Sequence, residues 1–249
     1  MSFPGTDLST ISRQFETAAA TVVAASRTAG SAAADADHSP TLLEQAMRRL
    51  LDLLSLVEKR AGSPEDLSRH EVDIDELGDY AIHLLSDLSS AGGALGLDDA
   101  SRKLEDLTLP MALWIVRHDG GLRSLEPVVN ALARLANTLR EPSQLAQLYQ
   151  LAAELHRGVD AQVRMDLEKG NPGRPWRLLT MNQAIIATRS HRPELIDEAY
   201  QALTEALPEE APRFFEEGMQ QMEALNYPQA VRQVVARYYD LWHTPRTLH

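Results

Sequence analysis

Apolar residues near the start of the chain recur three and then four positions apart: Leu8, Ile11, Phe15, Ala18, Val22, Ala25 and Ala29. That spacing places them on one helical stripe, and its small members allow a neighbouring helix to approach closely. Packing on its own domain is the expected role, with self-association or partner docking as the alternative. Ala, Ser and Thr then dominate up to residue 40, where Ala32–Ala34 follow Gly30, and the pattern predicts a flexible linker.

Ser39–Pro40 reads as a cap followed by proline at the first helical position. Leu43, Ala46, Leu50, Leu53, Leu54 and Val57 supply a broad apolar face ahead of Gly62. Ser63–Pro64 predicts a short restart. Ile74, Leu77, Ala81, Leu84, Leu85 and Leu88 form the next face, ended by Gly92–Gly93. Further helices are predicted over 98–108, 110–118, 124–140, 143–157 and 159–169. Glycines and prolines in 170–175 then break the pattern, and helices follow at 175–189, 194–207, 209–225 and 228–242.

Nowhere do β-branched residues alternate over a turn-bounded run, so no sheet is predicted. Short connections between helices of this length imply antiparallel neighbours. The expected class is all-α, as antiparallel helix pairs in a bundle or a short α-solenoid. The expected division is an N-terminal helix and linker over 1–40, a bundle over 41–169, and a C-terminal helical region over 174–249 that is either separate or continuous with it.

Phe214, Gly218, Tyr227 and Ala230 sit at the spacing of a helical hairpin. Together they resemble a degenerate tetratricopeptide repeat, and Ala187 with Ala199 repeats the separation of the two small positions. The resemblance implies that Gly218 and Ala230 let paired helices approach, with Phe214 and Tyr227 as bulky packing positions. Glu217, Gln221 and Arg237 depart from that family's pattern. The resemblance covers only the C-terminal part, and it implies an interaction scaffold, TPR-like, without naming a ligand.

Composition narrows the chemistry. The chain of 249 residues has no cysteine, which removes disulfides and thiolate chemistry. No run approaches the roughly 20 apolar residues of a membrane span, and no basic-then-apolar leader precedes the first helix, so a cytoplasmic protein is expected. A net charge of −12 opposes nucleic-acid binding. The charge is uneven: residues 62–106 carry twelve acids against three bases, whereas 121–192 carry ten bases against six acids.

Few motifs suggest catalysis. His118–Asp119, with His83 upstream and Asp160 or Asp197 downstream, supplies the ligand types of an HD-type metal-dependent phosphohydrolase. Gly120–Gly121 after the dipeptide instead suggests a helix C-terminus. The acids of 73–79 imitate a calcium loop, but Leu77 and Leu84 occupy ligand positions, so a helix N-terminus is expected there. No cofactor is expected. Arg174, Trp176 and Arg177 beside the 170–175 break form one candidate partner-binding group, and Tyr238, Tyr239 and Trp242 on the last helix form another. The leading expectation is a non-enzymatic interaction or regulatory scaffold that binds a protein partner or itself, with the phosphohydrolase as alternative.

Overall fold

The computed structural model describes residues 5–29, 39–61, 73–167 and 169–243. The linker expected at 30–38 and the restart expected at Ser63–Pro64 lie outside them. Among the described residues the protein is all-α, and the one β-type pairing is an isolated parallel bridge between Leu122 and Val159. The helices are α1 Leu8–Thr28, α2 Pro40–Ala61, α3 Ile74–Ala94, α4 Asp98–Asp106, α5 Thr108–Arg117 and α6 Glu126–Thr138. They continue as α7 Pro142–Arg157, the single turn α8 Ala161–Arg164, α9 Pro175–Arg189, α10 Pro193–Ala206, α11 Ala211–Ala224 and α12 Gln229–His243. No helix among the described residues is long and apolar enough to cross a membrane.

Two compact units divide the chain. One runs to Ala131 and takes in Arg157–Val163; the other comprises Leu132–His156 and the chain from Arg164 onward. The division differs from the one expected at residues 170–175. The first helix belongs to the first unit, and α7 belongs with the C-terminal helices because His156 stacks on Trp176 at 4.4 Å and meets the Thr180 hydroxyl at 3.2 Å.

In the first unit, the predicted stripe of α1 is buried from Leu8 to Val22 and packs against α2 and α4. Ala25 is only half-buried and Ala29 is exposed, so the stripe outruns its cover. Asp7 caps α1 by accepting the Thr10 amide at 2.8 Å. The Ser9 hydroxyl and this amide hold the Asp7 carboxyl down to about 2. On α2 the buried positions are Leu43, Met47, Leu50, Leu51 and Leu54. Leu53, expected in the core, is exposed, because Met47 and Leu51 centre the face farther round the helix.

Gly92 and Gly93 do not end α3. A Cβ at Gly92 would lie 3.2 Å from Val22 and 3.5 Å from Ser101, so this glycine marks a close helix crossing. The helix ends at Ala94 with Leu95 as its cap, and Gly96 follows at a φ of 72°, in the left-handed region. The Leu97 amide donates to Gly92 O at 2.9 Å and the Gly96 amide to Gly93 O at 2.9 Å, closing the last turn. Beside this turn, Ser89 Oγ donates to Ser101 O at 3.0 Å and Ser101 Oγ to Ser89 O at 2.7 Å, tying α3 to α4 in both directions.

In the second unit, α9 and α10 pack as one pair and α11 and α12 as another, with α10 also against α12. An aromatic cluster of Tyr200, Phe214, Phe215 and Tyr238, with ring centroids 5.1–5.6 Å apart, joins α10, α11 and α12. Tyr200 is fully buried and shares a 2.8 Å hydrogen bond with Thr188 of α9, so its hydroxyl is satisfied inside the core. Arg189 donates to the carbonyls of Ala136 and Leu139, both at 3.0 Å, and so neutralises the C-terminal end of α6.

Candidate interaction surfaces

The Pro/Gly-rich break after α8 is held together from within by Arg174. Its Nε donates to Asp166 at 2.6 Å, one Nη donates to the carbonyls of Lys169 and Asn171 at 3.2 and 3.1 Å, and the other donates to Glu210 at 3.0 Å. Arg177 also donates to Glu210 and, at 3.0 Å, to Pro172 O. Proline and glycine leave this loop without a backbone ladder, and the guanidinium fork supplies the missing hydrogen bonds.

The expectation that Arg174 and Trp176 present a recognition surface is corrected by their burial. Trp176 lies against His156, and the donors of Arg174 are directed into its own loop and α11. Arg177 is turned to Glu210 in the same network. Together the three brace the second unit from within.

The positions named for the repeat resemblance divide similarly. The short link between α11 and α12 makes them antiparallel, and Gly218 lies where a Cβ would meet Val235 at 3.4 Å. Ala230 is exposed at the start of α12, so the contact at Gly218 is with Val235 and not between the two small residues. Phe214 enters the aromatic cluster, and Tyr227 packs edge-on against His191 at 5.2 Å.

His118–Asp119 is a helix terminus. The Gly120 amide donates to Ile115 O at 3.0 Å, the Asp119 amide to Val116 O at 3.2 Å, and Asp119 sits at φ 61°. His118 stacks on Trp114 at 4.1 Å, with its Nδ1 2.7 Å from Trp114 O and its Nε2 3.4 Å from Glu58. His83 lies elsewhere on the unit, where its partners are Asp79 and Ser124. His83, His118 and Asp119 are therefore not brought together, and no group of three or more His, Asp or Glu among the described residues is arranged to hold a metal ion.

The acids of 73–79 have a different role, which their spacing left unread. Asp73 caps α3 by accepting the Glu76 amide at 2.9 Å. One turn apart, Asp75 accepts the Gly121 amide at 2.7 Å and Arg123 Nη2 at 3.2 Å, while Asp79 accepts the Ser124 amide at 3.0 Å. Arg123 also reaches Asp160 at 3.5 Å, next to the Leu122–Val159 bridge. Ser124 Oγ lies 3.3 Å from His83 Nε2, an order of groups reminiscent of a nucleophilic relay. His83 Nδ1, however, is closer to Asp79 O, at 2.9 Å, than to its carboxylate at 3.6 Å, and the Ser124 amide is spent on Asp79. The cluster clamps the 118–125 loop onto α3.

The last helix carries an apolar stripe whose end is partly covered. Val231 and Val235 are buried, Tyr238 is half-buried in the aromatic cluster, and Trp242, next on the same stripe, is half-buried as well. Leu241 beside it is 59% exposed. Tyr239 is half-buried on the neighbouring flank, where it stacks on His243 at 4.1 Å. The Tyr238 hydroxyl donates to the Asp197 carboxylate at 2.7 Å, and Arg237 pairs with the same carboxylate, so charged groups border this stripe.

No family model, curated protein or solved structure matches this chain.

Proposed function

We propose that this protein is a non-enzymatic helical interaction module whose second unit docks a protein partner on the C-terminal half of α12. The observation that carries the reading is the exposed Leu241 beside Trp242, whose half-buried indole ends the Val231–Val235–Tyr238 stripe. An amphipathic helix laid against this end would cover the indole and the leucine, the kind of aromatic anchor that dominates interface energetics. Arg237 and Asp197 would form part of the charged rim that selects the partner.

The test is capture of partners by the immobilised full chain, followed by affinity measurement on the protein retained. Trp242→Ala is expected to weaken binding by about tenfold or more, and Arg237→Gln by about threefold or less. A retained protein that binds Trp242→Ala and Leu241→Glu as well as the parent would overturn the proposal, as would the absence of any saturable partner.

A further inference from the structure

The outer face of α2 carries three leucines that the helices packed on it leave uncovered: Leu42, Leu53 and Leu56 are 46, 47 and 51% exposed. They are not scattered. Positions 42, 49, 53 and 56 fall within one narrow stripe at helical periodicity, away from the buried face of Met47, Leu51 and Leu54. Arg49 interrupts the leucines, and Gln45, Asp52 and Lys59 run along one side of the stripe, all exposed.

We propose that α2 pairs with α2 of a second copy of this chain, side by side and antiparallel. The order of the charges selects that occupant and that direction. The stripe carries its central base and its flanking acid three residues apart, Arg49 and Asp52. A two-fold axis passing between Leu50 and Leu51 brings Arg49 of each copy level with the partner's Asp52. The four side chains then alternate in sign around the axis, and symmetry makes the pair twice. A parallel arrangement would set Arg49 against Arg49 and Asp52 against Asp52, like charges level with one another beside the leucines.

The same alignment covers the apolar positions. The two Leu53 side chains approach each other across the axis on the same face of the helix pair, each level with the stem of the partner's Arg48, while Leu56 falls beside the partner's Leu42 and level with the partner's Gln45, an uncharged neighbour. Lys59 comes level with the partner's Leu42, where its aliphatic stem covers the leucine and its ammonium reaches water. Arg48 does not compete for Asp52, since it is engaged by Glu44 and by Glu16 of α1. Arg49 within an apolar seam fixes alignment, as a single polar residue does in paired helices generally.

This surface lies in the first unit and is distinct from the Trp242 end of α12, so the two proposals fail separately. Sedimentation velocity of the full chain over a range of concentrations is expected to show a reversible monomer–dimer equilibrium that Trp242→Ala leaves unchanged. Leu53→Glu/Leu56→Glu is expected to give monomer with unaltered far-UV circular dichroism. Arg49→Asp alone and Asp52→Arg alone are each expected to raise the dimer dissociation constant by about tenfold or more, because each homodimer then gathers four like charges around the axis. Mixing the two single variants is expected to restore the dimer: the acid introduced in one chain faces the base introduced in the other, and the native Asp52 of the first faces the native Arg49 of the second. A monomer at every concentration overturns the proposal. So does a dimer indifferent to the leucine variants, or a mixture of charge variants that stays monomeric.

Discussion

Arg174 Nε donates to Asp166 Oδ1 across 2.6 Å, and both side chains are only 7% exposed. Removing one member of such a pair leaves the other charge inside the protein without compensation, a cost of about 3–5 kcal/mol. Arg174→Met is therefore expected to destabilise the second unit by about 3 kcal/mol or more in urea unfolding. Arg174→Lys is expected to rescue little, because an ammonium does not reproduce the fork that reaches Asp166, Glu210 and two carbonyls at once. Equal stability of Arg174→Met and the parent would show that the loop is held by other contacts.

Two helical glycines of α3 give opposite expectations. A Cβ on Gly78 would lie 2.6 Å from Cγ1 and 2.7 Å from Cδ1 of Ile115, so Gly78→Ala is expected to lower stability by about 1–3 kcal/mol. At Gly93 the nearest atom is Ser101 Oγ at 3.7 Å, an ordinary contact, and Gly93→Ala is expected to raise stability by about 0.5–1 kcal/mol. Thermal unfolding of the two variants beside the parent checks both signs.

Alkaline pH has a defined target in the second unit. Burial pushes Tyr238 up to about 12, with the hydrogen bond to Asp197 acting in the same direction, and burial also raises Tyr200 and Tyr227. A phenol whose folded value lies above its unfolded value of about 10 contributes stability that is complete below that pH. The contribution is lost as pH rises through the folded value. Stability is therefore expected to fall between about pH 10 and pH 12, and Tyr238→Phe to flatten that fall. Absorbance titration of the phenolates checks the order of ionisation.

The clamp on the 118–125 loop is open to hydrogen exchange. Asp75→Ala removes the acceptor of the Gly121 amide and one partner of Arg123, and Asp79→Ala removes the acceptor of the Ser124 amide. Each variant is expected to accelerate exchange of its own amide by about tenfold, with the core amides of α5 unchanged, since a hydrogen bond to a charged group is worth about 1.5–3 kcal/mol. Unchanged exchange at Gly121 and Ser124 would show that the Leu122–Val159 bridge holds the loop alone.

Helix positions were legible because period, proline and capping residues agree: α9 begins at Pro175 and ends at Arg189 as the spacing predicts. Helix ends were harder to read. Gly92–Gly93 looks like a stop, but Gly92 makes a close crossing, whereas non-glycine residues hold the left-handed conformation at Asp119, His191 and Asn226. Composition alone does not separate a glycine needed for contact from one needed for a turn. The candidate surfaces were legible only in part. Tyr239 and Trp242 are half-buried and keep some surface, but Arg174 sits among carboxylates contributed from residues 166 and 210, which no local pattern brings together. Leu53 reads as core because Leu50 and Leu54 flank it. The competing stripe through Leu42 and Leu56 is visible in the same spacing, but choosing between them requires knowing which side α1 and α3 occupy.

The paired serines of α3 and α4 have a consequence for alignment. Ser89 and Ser101 each give a proton to the other's main-chain oxygen, and a slide of one helix by a single residue, about 1.5 Å, would break both bonds at once. Smooth alanine and leucine surfaces tolerate such creep at little cost. This corner behaves like a detent, and the register it sets is inherited by every side chain that α3 carries toward the loop it clamps.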